Sequence, residues 1–160
     1  MRELSFILCI VLVLSFCSVG FAAESPDSTV PAPVFSPDAV EAYSPKYTTD
    51  IVPYAITTIS TWYNGIQKGS STGVGCTSTT IASGIADKIE VQYILYQYNG
   101  GWKQYKSLTH SKTRSAAFTD NASFTVASGY SYYVKTIHRT YSGSTVVSTK
   151  TATSGSIYVS

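Results

Sequence analysis

Lys88-Ile-Glu-Val-Gln-Tyr-Ile-Leu-Tyr-Gln-Tyr98, then Asn99-Gly100-Gly101, then Trp102-Lys-Gln-Tyr-Lys-Ser-Leu108 is the stretch on which the reading of this chain turns. Ile89, Val91, Tyr93 and Leu95 fall at every second position, with Lys88, Glu90 and Gln92 between them. That is the period of a strand with one face buried and one face wet. Asn-Gly-Gly supplies residues that tolerate positive φ, so the chain turns back and pairs with itself as a hairpin. No helical period fits the stretch as well.

Working outward, the same punctuation marks further strands. Residues 54–63 read as a first strand closed by Asn64-Gly65, and residues 72–80 as a second with Val74, Cys76 and Ser78 on one face. Residues 81–86 read as a short connection, and the hairpin supplies strands three and four. Residues 115–126 give a fifth strand, with Phe118, Ala122, Phe124 and Val126 sharing a face. A sixth spans 130–141 and a seventh 145–151, with 157–159 as a possible return. Seven short strands with a turn signal every ten residues or so predict an all-β fold, a two-sheet antiparallel sandwich of immunoglobulin or fibronectin III type. A closed barrel is the alternative.

Upstream the composition changes. Residues 1–22 have the parts of a secretory signal: Arg2, an apolar core over residues 6–16, and Gly20 and Ala22 at the two positions that must be small for cleavage after Ala22. The apolar run is too short for a membrane span. Leu14-Ser15-Phe16-Cys17 departs from a lipid-attachment site at bulky Phe16. All six prolines lie between residues 23 and 53, and proline lacks the donor a sheet needs. That stretch reads as an acidic linker, with Val34, Phe35, Val40 and Tyr43 available to dock part of it on a domain running from Tyr54 to Ser160. Removal of Cys9 and Cys17 with the signal leaves Cys76 alone, so the domain must hold by its core without an internal disulfide. Cys76 reads as a small buried hydrophobe, with a nucleophile or an intermolecular bridge as the alternatives.

Charge divides at the same boundary. Residues 23–53 hold five acids against Lys46, a net of −4, whereas residues 54–160 hold nine Lys or Arg against Asp87, Glu90 and Asp120, a net of +6. The basic residues are scattered singly rather than clustered, which argues against a nucleic-acid partner.

Val126-Ala-Ser-Gly-Tyr-Ser-Tyr-Tyr-Val134 resembles the corner of fibronectin type III and related immunoglobulin-like domains, with Gly129, Tyr132 and Val134 in register. The resemblance implies that the Tyr132 hydroxyl bonds back to the backbone across the corner. The span from Ile56 to Val159 is similar to a family of uncharacterised small secreted proteins of Gram-positive bacteria. Lys88, Ile89, Val91, Leu95, Trp102, Gly129, Tyr130, Tyr132, Val134, Lys135, Tyr141 and Gly143 carry that likeness, and Tyr96 departs from it where the family has Gln. It implies fold and export and brings no activity.

Chemistry is sparse. His110 and His138 are the only histidines and share no ligand spacing, so no metal or cofactor is expected. His138 shares a strand face with Tyr132, Val134 and Thr136 and reads as a hydrogen-bonded core histidine; His110 reads as solvent-exposed. A Ser-His-Asp set with Asp120 or Asp87 can be written on paper among so many hydroxyls, and no Gly-x-Ser-x-Gly elbow supports it. Gly73-Val-Gly75 precedes no helix pattern and is not a phosphate loop. No catalytic residue is assigned.

Tyrosine stands out, with thirteen in the chain. Tyr96, Tyr98 and Tyr133 fall on the faces opposite the expected core, and with Trp102 they form the candidate binding site. Cross-strand pairing that stabilises a wet sheet face is the plainer reading of the same rings. The expectation is a secreted, monomeric, non-catalytic β-sandwich module whose partner is an unknown protein or a cell-wall glycan.

Overall fold

A computed structural model describes residues 38–48 and 57–160. The expected signal over residues 1–22, the linker from 23 to 37 and the expected domain start at Tyr54 lie outside the described residues. Within them the chain is all-β, with no helix. The strands are β1 (Glu41–Tyr43), β2 (Tyr47–Thr48), β3 (Ile59–Lys68), β4 (Gly73–Tyr98), β5 (Trp102–Thr125), β6 (Tyr130–Ser142), β7 (Thr145–Thr153) and β8 (Ile157–Val159). They form one eight-stranded antiparallel sheet along the path β1-β3-β4-β6-β7, with β2 on β3, β5 on β4 and β8 on β6.

Two pairs of expected strands are single strands. Residues 73–80, the expected connection 81–86 and residues 88–98 are all β4, and residues 102–108 and 115–126 fall almost wholly in β5 with polar residues 109–114 paired between them. The connection was legible as a break in the pattern, but the backbone ladder resumes across it. Between the pairs Ile81↔Ala117 and Ala86↔Ser115, four residues of β4 oppose one of β5. Such an imbalance bends a strand sharply. Arg114, beside it, sits at φ 49, and the inside of the bend is lined by small buried Ala82 and Ala86.

The bend folds the sheet onto itself. Ser78 and Tyr93 stand fifteen residues apart on β4, about 50 Å along a straight strand, yet their hydroxyls are 2.8 Å apart. On β5, Lys106 Nζ donates to the Thr125 carbonyl at 2.6 Å. One half of the sheet therefore holds β3, residues 73–82 of β4 and the end of β5; the other holds residues 88–98 of β4, the start of β5, β6 and β7. Strands β3 and β7 meet through side chains rather than a backbone ladder: Trp62 Nε1 donates to the Thr151 carbonyl at 2.9 Å, and Ile59 N to Ser148 Oγ at 3.3 Å.

Every second residue of the facing strands fills the space between the halves. Ile66, Val74, Cys76, Ile89, Val91, Tyr93, Leu95, Tyr132, Val134, Ile157 and Val159 are buried in one cluster, in the alternation expected of β4 and β6. A polar chain crosses this interior. Asn64 Nδ2 donates to Thr136 Oγ1 at 2.9 Å, Thr136 Oγ1 lies 2.7 Å from His138 Nε2, and His138 Nδ1 lies 2.6 Å from Thr80 Oγ1. His138 is thus a core histidine with both ring nitrogens engaged. The Tyr132 hydroxyl donates to the Ala127 carbonyl at 2.7 Å, the corner bond expected of it, and accepts from Gln97 Nε2 at 2.8 Å.

Part of the proline-rich stretch belongs to the sheet. β1 and β2 lie along β3, and Ser44 between them exchanges bonds with Asn64, its N–H donating to the Asn64 carbonyl and its Oγ accepting from Asn64 N, both at 2.8 Å. The Tyr43 ring lies on Gly65, where a Cβ would collide with it. Residues 41–48 of the expected linker are thus docked along β3. The docking foreseen for Tyr43 is a backbone ladder.

Candidate functional site

The hairpin turn assembles the four predicted residues. Tyr98 pairs with Trp102 across a three-residue loop in which Gly100 takes φ 69, a backbone region open to glycine at no steric cost. Tyr96 pairs with Tyr133 of β6. The Tyr96 and Tyr133 rings stack at 4.7 Å with their planes 4° apart, Trp102 sets an edge against Tyr133 at 4.7 Å and 73°, and Tyr98 meets Trp102 at 5.3 Å and 66°. The four rings form one interlocked group at the hairpin end of the outer face.

Its internal geometry differs from the row of exposed rings that alternation suggested. Tyr133 is only 8% exposed, whereas Tyr98 is 44% exposed. Trp102, returning from the turn, covers Tyr133 from one side while Tyr96 covers it from the other. Burial, with Tyr96 beside it, pushes the Tyr133 hydroxyl up to about 12. Parallel stacking at this distance uses one face of each tyrosine on the other, so the two do not lie coplanar as a platform for a sugar ring. A register shift between Leu95 and Tyr96 leaves Tyr105 unopposed. Its ring approaches Tyr132 at 5.8 Å instead.

Two polar groups escaped the sequence reading. His110 is not simply in solvent: its Nδ1 lies 2.6 Å from Asp120 Oδ2, and the side chain is 36% exposed. Asp120 Oδ2 also accepts from the Tyr93 hydroxyl at 3.0 Å, which in turn meets Ser78 Oγ. The hydroxyl bonded to the carboxylate is thus a tyrosine whose pKa burial pushes above the usual phenol range, so that it keeps its proton. That ties the two halves of the sheet together instead of activating a serine. Only the fold-back of β5 brings residues 110 and 120 together, and no sequence pattern announces it. On the outer face Glu90 receives Lys88 Nζ at 3.0 Å, Arg139 Nη1 at 3.0 Å and the Tyr141 hydroxyl at 2.9 Å. Burial pushes the Glu90 carboxyl up, but the bonds from Lys88, Tyr141 and Arg139 outweigh it and hold the group below the usual range.

Cys76 is 1% exposed, and burial pushes its thiol up to about 12. Such a thiol carries little thiolate near neutrality and is a packed side chain rather than a nucleophile. Among the described residues no three His, Cys, Asp or Glu side chains converge as metal ligands, and no helix is long and apolar enough to cross a membrane. No family model matches the chain, and no curated protein matches it in sequence.

Proposed function

We propose that this chain is a secreted, non-catalytic interaction module of immunoglobulin or fibronectin III type that engages a protein partner through Tyr98 and Trp102. The interlocked ring group carries this reading. Tyr133, itself backed by Tyr96, holds Trp102 in place from behind, and Tyr98 packs on Trp102 at the more open side, so a partner would meet pre-ordered aromatic side chains that lose little freedom on binding. The corner bond of Tyr132 supports the immunoglobulin-like assignment, and the leader-like residues 1–22 support export. The likeness to small secreted proteins of Gram-positive bacteria agrees with both.

A glycan held by stacked rings, the alternative for these residues, is less favoured because the broad faces of Tyr96 and Tyr133 are turned to each other. The test uses labelled processed protein and intact Gram-positive cells. Binding should fall about tenfold or more in Trp102→Ala and disappear when the cells are first treated with protease. Retention on protease-treated cells, or full binding by Trp102→Ala together with Tyr98→Ala, overturns the proposal.

A further inference from the structure

The two outer faces of the sheet differ in chemistry. Around the ring group the outer face carries Lys88, Glu90, Lys135 and Arg139. On the other half, the outward positions of three adjoining strands carry no charge: every second residue reads Thr-Tyr-Gly-Gln over 61–67 of β3, Gly-Gly-Thr-Thr over 73–79 of β4 and Thr-Asn-Ser-Thr over 119–125 of β5. The intervening residues, Val74, Cys76, Ser78, Ala122 and Phe124 among them, are buried on the inner side. In a domain with a net charge of +6 these positions form a field of mainly hydroxyl and amide groups with no charge of its own, edged by Glu41, which pairs with Gln67, by the Tyr43 ring over Gly65, and by Lys106, whose Nζ donates to the Thr125 carbonyl.

The field has a groove. Gln67, Gly75 and Ser123 lie in one row across the three strands, and a depression of about 410 Å³ opens there, with Gly73 and Gly75 in its floor and Gln67, Ser123 and Thr125 at its sides. At Gly75 the missing side chain lets a ligand approach the backbone closely, whereas over Gly73 the Ser70 Oγ already lies 2.9 Å from where a Cβ would stand. Above Gly75 lies only the flexible Gln67 side chain, 3.3 Å from where a Cβ would stand.

We propose that this groove binds a neutral, hydroxyl-rich polymer, an uncharged polysaccharide. Each Ser or Thr hydroxyl both donates and accepts, and the Asn and Gln amides present one role at each end. A sugar chain, itself a series of hydroxyls, matches that alternation. An acidic polymer or a nucleic acid needs cations to offset its charge; the outward positions of these strands supply none, the neighbouring Lys106 is taken up by the Thr125 carbonyl, and Glu41 beside Gln67 adds an acid. A protein partner of standard type would need an apolar core with aromatic anchors, which the protein carries at the ring group instead. Strand geometry sets the hydroxyl rows about 4.8 Å apart across the sheet and about 7 Å apart along it, a spacing that serves a repeating ligand better than a single small molecule.

The test is electrophoresis of the full chain in native gels containing dextran, hydroxyethyl cellulose or neutral xylan. At least one polymer should retard it, equally at about 0.05 M and about 0.5 M salt, because no ion pair is involved. Ser123→Arg, which sweeps a long cation over the groove, should abolish retardation, while Trp102→Ala on the other half should leave it intact. That separates this site from the protein-binding reading. Should Ser123→Arg fold poorly, backbone amide shifts on adding the retarding polymer decide the matter: they should gather at residues 73–77 and 119–125. The proposal is overturned by absence of retardation in all three polymers, by retardation that survives Ser123→Arg or fails in Trp102→Ala, or by shifts gathered at residues 96–102.

Discussion

Thr80 Oγ1 lies 2.6 Å from His138 Nδ1, which joins one half of the folded sheet to the other inside the core. Burial holds the His138 ring down to about 3. In the unfolded chain the same ring binds a proton near pH 6.5, so between those values the unfolded state carries more protons and stability falls as pH falls. From pH 6.5 to 4.5 the loss attributable to this residue should approach about 2–3 kcal/mol. Urea melts across that range should show the slope in the wild type and a flatter profile in His138→Gln. Equal slopes would mean that the ring is hydrated.

Leu95 is fully buried among Ile89, Val91 and Val134. Leu95→Ala should cost about 2–5 kcal/mol in chemical denaturation, the usual range for emptying a well-packed leucine site. A variant that melts with the wild type would place Leu95 on the wrong face.

Tyr133→Ala and Tyr98→Ala separate support from contact within the ring group. Removing Tyr133 deletes a buried ring with two aromatic neighbours and should cost about 3–5 kcal/mol. Removing half-exposed Tyr98 should cost less than about 1 kcal/mol. Thermal melts of the two variants rank them directly, and the reverse order would undo the assignment of Tyr133 as the support.

Tyr132→Phe keeps the ring and removes the corner hydroxyl, leaving the Ala127 carbonyl and Gln97 without that partner. The loss should be about 1–3 kcal/mol, read from the denaturation midpoint. An unchanged midpoint would make the bond incidental.

Cys76 should resist thiol reagents at pH 8 in the native protein and react fully once unfolded, because the thiolate is scarce and the sulfur is out of reach. Rapid native labelling would return it to the surface.

Alternation made the inner faces legible: Ile89 to Leu95, Phe118 to Val126 and Tyr132 to His138 are buried where period two puts them, because a half-buried strand writes its register into the sequence. It marked residues 81–86, where the bend falls, as a short connection between strands. It could not show that strand pairing continues past the bend, since a bulge and a connection share the same composition. Nor could it place Tyr133, whose burial comes from rings on its own outer face rather than from the core. The docking of residues 41–48 was foreseen in outline from Tyr43, yet proline density hid the ladder, which needs only a few donors between Pro37 and Pro53. The pairing of His110 with Asp120 depends on folding one strand back on itself, a long-range event that local pattern does not encode.

The long β4 and β5 ladder has a kinetic consequence. Its partners are four residues apart at Tyr98↔Trp102 and fifty-two apart at Gly73↔Thr125, so pairing can grow outward from the turn at Gly100, each rung closing only a slightly longer loop than the one before. Half the sheet can be zipped from a local start before β3 or β6 finds its place. The turn then belongs to the folding nucleus, and β3 with the β1 and β2 strands along it to its late additions. Substitutions at Gly100 should chiefly slow folding, and those in β1 should chiefly hasten unfolding.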